Sequence, residues 1–145
     1  MGSYLNPGSK GFRESLNSEI YVDKTGLIEK TNAVLNTRQK FLCVSRPRRF
    51  GKSMAADMLA AYYERGEDSA LLFDSLKISK AASYGKHRNQ YDVIKINMQE
   101  FLSATYEIEE MLSFLQRRIL AELKSAYPDF VNDDYLVFAM QDIYA

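Results

Sequence analysis

Ser45-Arg46-Pro47-Arg48-Arg49-Phe50-Gly51-Lys52-Ser53 points most directly to a fold. It follows an apolar run, Phe41-Leu42-Cys43-Val44, of the kind a strand buried on both faces shows. It leads into Ser53 to Glu64, where Met54, Met58, Leu59 and Tyr62 recur at helical spacing and Gly66 supplies a stop. Gly-Lys-Ser between a strand and a helix is the ending of a phosphate-binding loop. Backbone N–H groups at a helix start point at an anion, a lysine reaches the outer phosphates, and the serine hydroxyl ligates Mg²⁺. The pattern therefore assigns a nucleotide's phosphates and Mg²⁺ as ligands. It makes Arg48, Arg49, Phe50, Gly51, Lys52, Ser53 and Met54 the nucleotide-binding residues and Ser53 the metal ligand. One position departs from G-x-x-x-x-G-K-[ST]: Arg46 stands where the first glycine would be.

Working outward, Lys40 to Ser45 and Asp92 to Met98 read as strands, the second through β-branched Val93, Ile94 and Ile96. Leu76-Lys77-Ile78 reads as a strand fragment. Leu27 to Leu35 reads as a helix, Ser69 to Phe73 as a helical turn, and Ser83 to Gln90 as a polar loop. Ala104 to Ala126 is the clearest helix, with Ile108, Met111, Leu112, Leu115, Ile119 and Leu123 on one stripe and Glu107, Glu109 and Glu110 at its start. A further helix is expected from Asp133, where Asp133 and Asp134 read as a helix start. The order strand, loop, helix, strand, helix predicts an α/β domain with a parallel sheet, a P-loop NTPase-like three-layer sandwich.

The chain has 145 residues, enough for one domain with a core of its own. Its formal net charge of zero gives no global field for nucleic acid. The balance hides an asymmetry: from Lys30 to Ala56 seven residues are basic and none is acidic. Arg46, Arg48 and Arg49 suit phosphate or carboxylate recognition. No nucleic-acid-binding motif accompanies them, so a structural or phosphate-proximal role is favoured over nucleic-acid contact. A single cysteine, Cys43, excludes an intrachain disulfide and fits a reducing cytoplasm. Placed in an apolar strand, it reads as a buried structural thiol. No secretory signal and no membrane-spanning run is visible. His87, the one histidine, lies in a polar stretch without ligand partners, which argues against a metal site there. Tyr62 and Tyr63 read as packing residues with polar tips. Asp23-Lys24-Thr25 reads by itself as a turn with a helix cap at Thr25.

Ile20-Tyr21-Val22-Asp23-Lys24-Thr25, Arg46-Pro47-Arg48-Arg49-Phe50-Gly51-Lys52-Ser53, Leu72-Phe73 with Leu76-Lys77-Ile78, and Val93-Ile94-Lys95-Ile96-Asn97 together resemble the AAA-ATPase-like family of P-loop proteins, found mainly in bacteria and archaea. The resemblance runs from Tyr4 onward, and in this family arginine opens the loop. It implies ATP binding, a nucleotide-proximal place for Asp23 to Thr25, and in longer members a PD-(D/E)XK nuclease-like domain downstream, a route to nucleic acid. It also implies a Walker B strand ending in acids. Val93 to Ile96 ends in Asn97, and Tyr135 to Asp142 reads as a helix, so neither supplies one. The chain is thus expected to be the N-terminal portion of a single AAA-like ATPase domain, 1–145, with hydrolysis left open and no catalytic residue assigned. The alternative is a non-catalytic nucleic-acid- or protein-interaction module using the basic loop, or an incomplete piece with an exposed apolar sheet edge that favours oligomers.

Overall fold

Gly51 takes φ +77°, and a helix of 12 residues begins directly after it. This is seen in a computed structural model that describes residues 2–45, 47, 49, 51–104 and 107–129. In chain order the helices are α1 (Lys10–Leu16), α2 (Gly26–Val34), α3 (Lys52–Tyr63), α4 (Ala70–Phe73), α5 (Tyr84–His87), α6 (Met98–Ala104) and α7 (Ile108–Ala126), with a 3₁₀ turn at Lys77–Lys80 between α4 and α5. They form two compact units, Asn6–Lys95 and Gly2–Leu5 with Ile96–Ala145.

The parallel-sheet sandwich expected from the sequence is not formed. Among the described residues every regular element is a helix, and strand pairing is reduced to isolated bridges such as the parallel one between Glu64 and Tyr91. The physical reason is visible at both expected strands. A strand needs a second strand for its ladder, whereas a helix closes its hydrogen bonds internally. Phe41, Leu42 and Val44 are 85%, 53% and 47% exposed, and Cys43 is exposed too, which corrects its reading as a buried thiol. Val93 commits its N–H to Asn6 Oδ1 at 2.9 Å and its carbonyl to Asn6 N–H at 2.8 Å, so a polar side chain occupies the place of a neighbouring strand. Leu76 to Ile78 belongs to the 3₁₀ turn region, and Tyr84–His87 is a short helix inside the expected loop. The helix expected near Asp133 lies outside the described residues.

In the larger unit, α1, α2 and α3 enclose Phe12, Ile28, Met58, Ala61, Tyr62, Phe73 and Ile78. Phe12 stacks on Phe73 with centroids 4.8 Å apart, and Tyr62 meets Phe73 edge-on at 5.4 Å. Above this floor lies a polar network. Tyr63 Oη donates to Asn32 Oδ1 at 2.7 Å. Asn32 Nδ2 donates to Tyr62 Oη at 3.2 Å and to Ser83 Oγ at 3.1 Å, and Tyr62 Oη donates to the Tyr84 carbonyl at 2.5 Å. The tyrosines of α3 thus pack with bonded tips, as the sequence suggested. In the smaller unit, the stripe on α7 buries Met111, Leu115 and Ile119 against Tyr4 and Phe101, while Ile108 stays 71% exposed. Glu122 accepts the backbone N–H groups of Ser3, Tyr4 and Leu5 at 2.8, 2.9 and 2.8 Å. Burial raises the Glu122 pKa, but these three bonds outweigh it and the carboxyl is held below its usual range.

Candidate phosphate-binding site

The first turn of a helix carries N–H groups without intrahelical partners. In α7 that turn carries Glu109 and Glu110, which complement its positive end. The first turn of α3 has no acidic residue and no side-chain cap. The Gly51 carbonyl accepts the N–H of Ala55 at 3.0 Å, which starts the helix and leaves the N–H groups of Lys52, Ser53 and Met54 ahead of it. Lys52, Ser53 and Met54 are all exposed. Upstream, Arg49 takes φ +67°, a left-handed conformation that costs a non-glycine residue roughly 1 kcal/mol.

A second cation stands at this turn. Lys24 Nζ is 2.9 Å from the point where a Cβ on Gly51 would lie. Its neighbours fix it there. Asp23 Oδ1 accepts the Thr25 N–H at 2.8 Å and the Thr25 hydroxyl at 2.6 Å, and Asp23 Oδ2 accepts the Lys77 N–H at 2.8 Å. Thr25 Oγ1 in turn accepts the Ile78 N–H at 3.1 Å. Thr25 sits at the N-cap position of α2 but makes no side-chain capping bond, because its hydroxyl is used in this clasp. Burial pushes the Asp23 pKa up, yet the bonds from Thr25 and Lys77 prevail and hold it below the usual range. Burial, followed by the nearby Asp23 charge, pushes Tyr21 up to about 12.

Lys24, Leu27, Lys30, Val44, Gly51, Lys52 and Ala55 line a cleft of about 330 Å³. Among the described residues it presents three ammonium-bearing side chains and no carboxylate, over an apolar wall, a combination that attracts an anion. Of the residues the sequence proposes for the nucleotide, Gly51 and Lys52 line this cleft, and Lys24 lines it with them. Lys30 was not singled out from the sequence, although Lys24, Leu27 and Lys30 recur every three residues at the start of α2. Ser53 and Met54 occupy the first turn of α3, but Met54 lines a separate small hollow with Tyr21 and Val22. Arg49 is exposed and does not line the cleft, while Arg46, Arg48 and Phe50 lie outside the described residues, as do Tyr135 to Asp142. Among the described residues no three His, Cys, Asp or Glu side chains are grouped to hold a metal ion, and no helix is long and apolar enough to cross a membrane.

The AAA-ATPase-like family model, described as predicted AAA-ATPase, matches residues 8–144. The chain belongs to this predicted AAA-ATPase family. No curated protein and no solved structure matches it. Membership of the AAA-ATPase-like family is consistent with nucleotide binding and points to ATP and a metal ion as the class of ligand. The residues at Gly51 fit such a group. The Lys24 ammonium stands against a left-handed glycine at an uncapped helix start, Lys52 lines the same cleft, and the Ser53 hydroxyl would be offered to a cation that phosphate oxygens would also hold.

Proposed function

We propose that this AAA-ATPase-like chain binds the phosphates of a nucleoside triphosphate at the start of α3, with ATP as the expected ligand. The observation that carries the reading is the placement of Lys24 Nζ against Gly51, beside Lys52 and an uncapped, acid-free helix start. In this reading the N–H groups of the first turn of α3 receive phosphate oxygens. Lys52 and Lys24 neutralise them from two sides, and the Ser53 hydroxyl contributes to holding Mg²⁺. Lys30 extends the positive wall, and Leu27, Val44 and Ala55 give the rest of the nucleotide an apolar surface. The bound Mg²⁺ would supply charge neutralisation on the phosphates; the chain's own part is to orient them and to exclude water from their inner side.

Calorimetric titration with Mg²⁺-ATP tests this. Wild type is expected to bind triphosphate more tightly than monophosphate, and Lys52→Ala is expected to lose at least about tenfold in affinity, the equivalent of 1.4 kcal/mol. Equal affinity in wild type and Lys52→Ala would overturn the reading.

A further inference from the structure

A second cleft lies across α2 from the first. Lys24, Leu27 and Lys30 face the phosphate loop, whereas Glu29, Asn32 and Asn36 line a separate hollow of about 520 Å³, closed on its other side by Ser83, Lys86 and His87. That size falls in the range of small-molecule sites. Its inner surface is polar and built. Asn32 is 5% exposed, and its amide is held by Tyr62, Tyr63 and Ser83 through the network described above. His87 is 7% exposed, and its Nδ1 shares a 2.6 Å hydrogen bond with Tyr91 Oη. Its Nε2 has no hydrogen-bond partner among the described residues, and His87 is one of the residues lining the hollow. Burial, then the charge of Lys86, pushes the ring pKa down, so the imidazole enters neutral pH uncharged and Nε2 is left to bond a ligand.

The two charged residues of the lining are opposite in sign and come from different helices, Glu29 from α2 and Lys86 from α5. Both are exposed, and neither forms an ion pair among the described residues. An anion or a cation alone would satisfy one and face a like charge at the other. An apolar ligand would strip water from Nε2 of His87 and the Ser83 hydroxyl without replacing it.

We propose that this cleft binds a small zwitterion, a free amino acid or a short peptide, with its ammonium at Glu29, its carboxylate at Lys86 and a polar group at His87 Nε2. The site is distinct from the nucleotide cleft and requires no nucleotide.

His87 is the only histidine, so its ring Hε1 proton gives one unambiguous NMR signal for this cleft. The probes are L-serine and alanyl-serine, compared with N-acetyl-serine and serine amide, each lacking one of the two charges. The zwitterions are expected to move the His87 signal saturably with a Kd in about the millimolar range, and the blocked forms to bind about tenfold more weakly. Glu29→Gln and Lys86→Met, both exposed and away from the core, are each expected to weaken binding about threefold to tenfold while thermal unfolding is preserved. No saturable shift with either zwitterion overturns the proposal. So does an equal response to the blocked forms, or a response to inorganic phosphate alone.

Discussion

Lys24 Nζ approaches Gly51 so closely that a side chain there would begin 2.9 Å from the ammonium. The glycine is also at φ +77°. Gly51→Ala therefore meets two obstacles of unequal weight. The left-handed backbone costs an alanine roughly 1–2 kcal/mol, whereas the lysine end is flexible and can swing aside. Thermal unfolding should show a loss of about 1 kcal/mol. Mg²⁺-ATP calorimetry should show a larger effect, a loss of about tenfold or more, because the turn and the Lys24 ammonium are both displaced. A variant that keeps wild-type affinity would separate Gly51 from phosphate binding.

The clasp behind Lys24 makes its own prediction. Asp23 gathers three donors from Thr25 and Lys77, and charged hydrogen bonds contribute about 1.5–3 kcal/mol each before solvent screening. Asp23 is partly exposed, so Asp23→Ala is expected to cost about 2 kcal/mol in total. Its folded pKa is lowered, so the stability it contributes is complete above the ordinary aspartate range and is lost as pH falls through the lowered value. Urea midpoints of wild type and variant should differ at neutral pH and converge in acid. A constant gap across pH would show that the carboxylate charge is not what the clasp uses.

The helices were legible because their signals are local. Met54, Met58 and Tyr62 set the period of α3, and Met111, Leu115 and Ile119 set that of α7, within a few residues of the observed ends. Helix α1 escaped notice because Phe12 and Leu16 are its only large apolar residues, too few to show a period. The strands failed for a different reason. Phe41 to Val44 and Val93 to Ile96 have the composition of strands, but composition does not supply a partner, and Asn6 takes the backbone of Val93 instead. Gly51, Lys52 and Ser53 could be read from their spacing. The approach of Lys24 depends on a contact between residues 27 positions apart, held by the bonds of Asp23 to Thr25 and Lys77, and spacing alone does not announce it; only the family resemblance put Asp23 to Thr25 near the nucleotide.

Asn32 joins α2 to α3, and its loss should reveal that bond pattern as a unit. Asn32→Leu removes one of the two partners of the Tyr63 hydroxyl, which keeps Thr31 Oγ1, and leaves Ser83 Oγ without its donor, so it is expected to cost about 2–4 kcal/mol. Tyr63→Phe alone should cost about 1 kcal/mol. Both single variants remove the same Tyr63–Asn32 bond, so in the double variant the combined cost should fall short of the sum by about 1 kcal/mol. Chemical denaturation of the four proteins measures this, and strict additivity would mean that Tyr63 and Asn32 are not energetically coupled.

Glu64 behaves in the opposite sense to Asp23. Its side chain is buried; Oε2 accepts the Gly8 N–H at 2.8 Å, but Oε1 has no hydrogen-bond partner among the described residues. Burial raises its pKa, the Gly8 bond opposes that only in part, and the Glu67 carboxylate adds to the rise. The folded state therefore prefers the protonated acid. By linkage, this contribution to stability is fully present below the ordinary glutamate value of 4.5 and is lost as pH rises through the raised folded value. Glu64→Gln keeps the side-chain shape and an acceptor for Gly8 but cannot ionise. Its unfolding free energy should decline less than that of wild type as pH rises from acid to neutral, and at pH 7 it should equal or exceed that of wild type. A variant that is less stable than wild type at pH 7, with an unchanged slope, would mean that Glu64 is ionised without penalty in the fold.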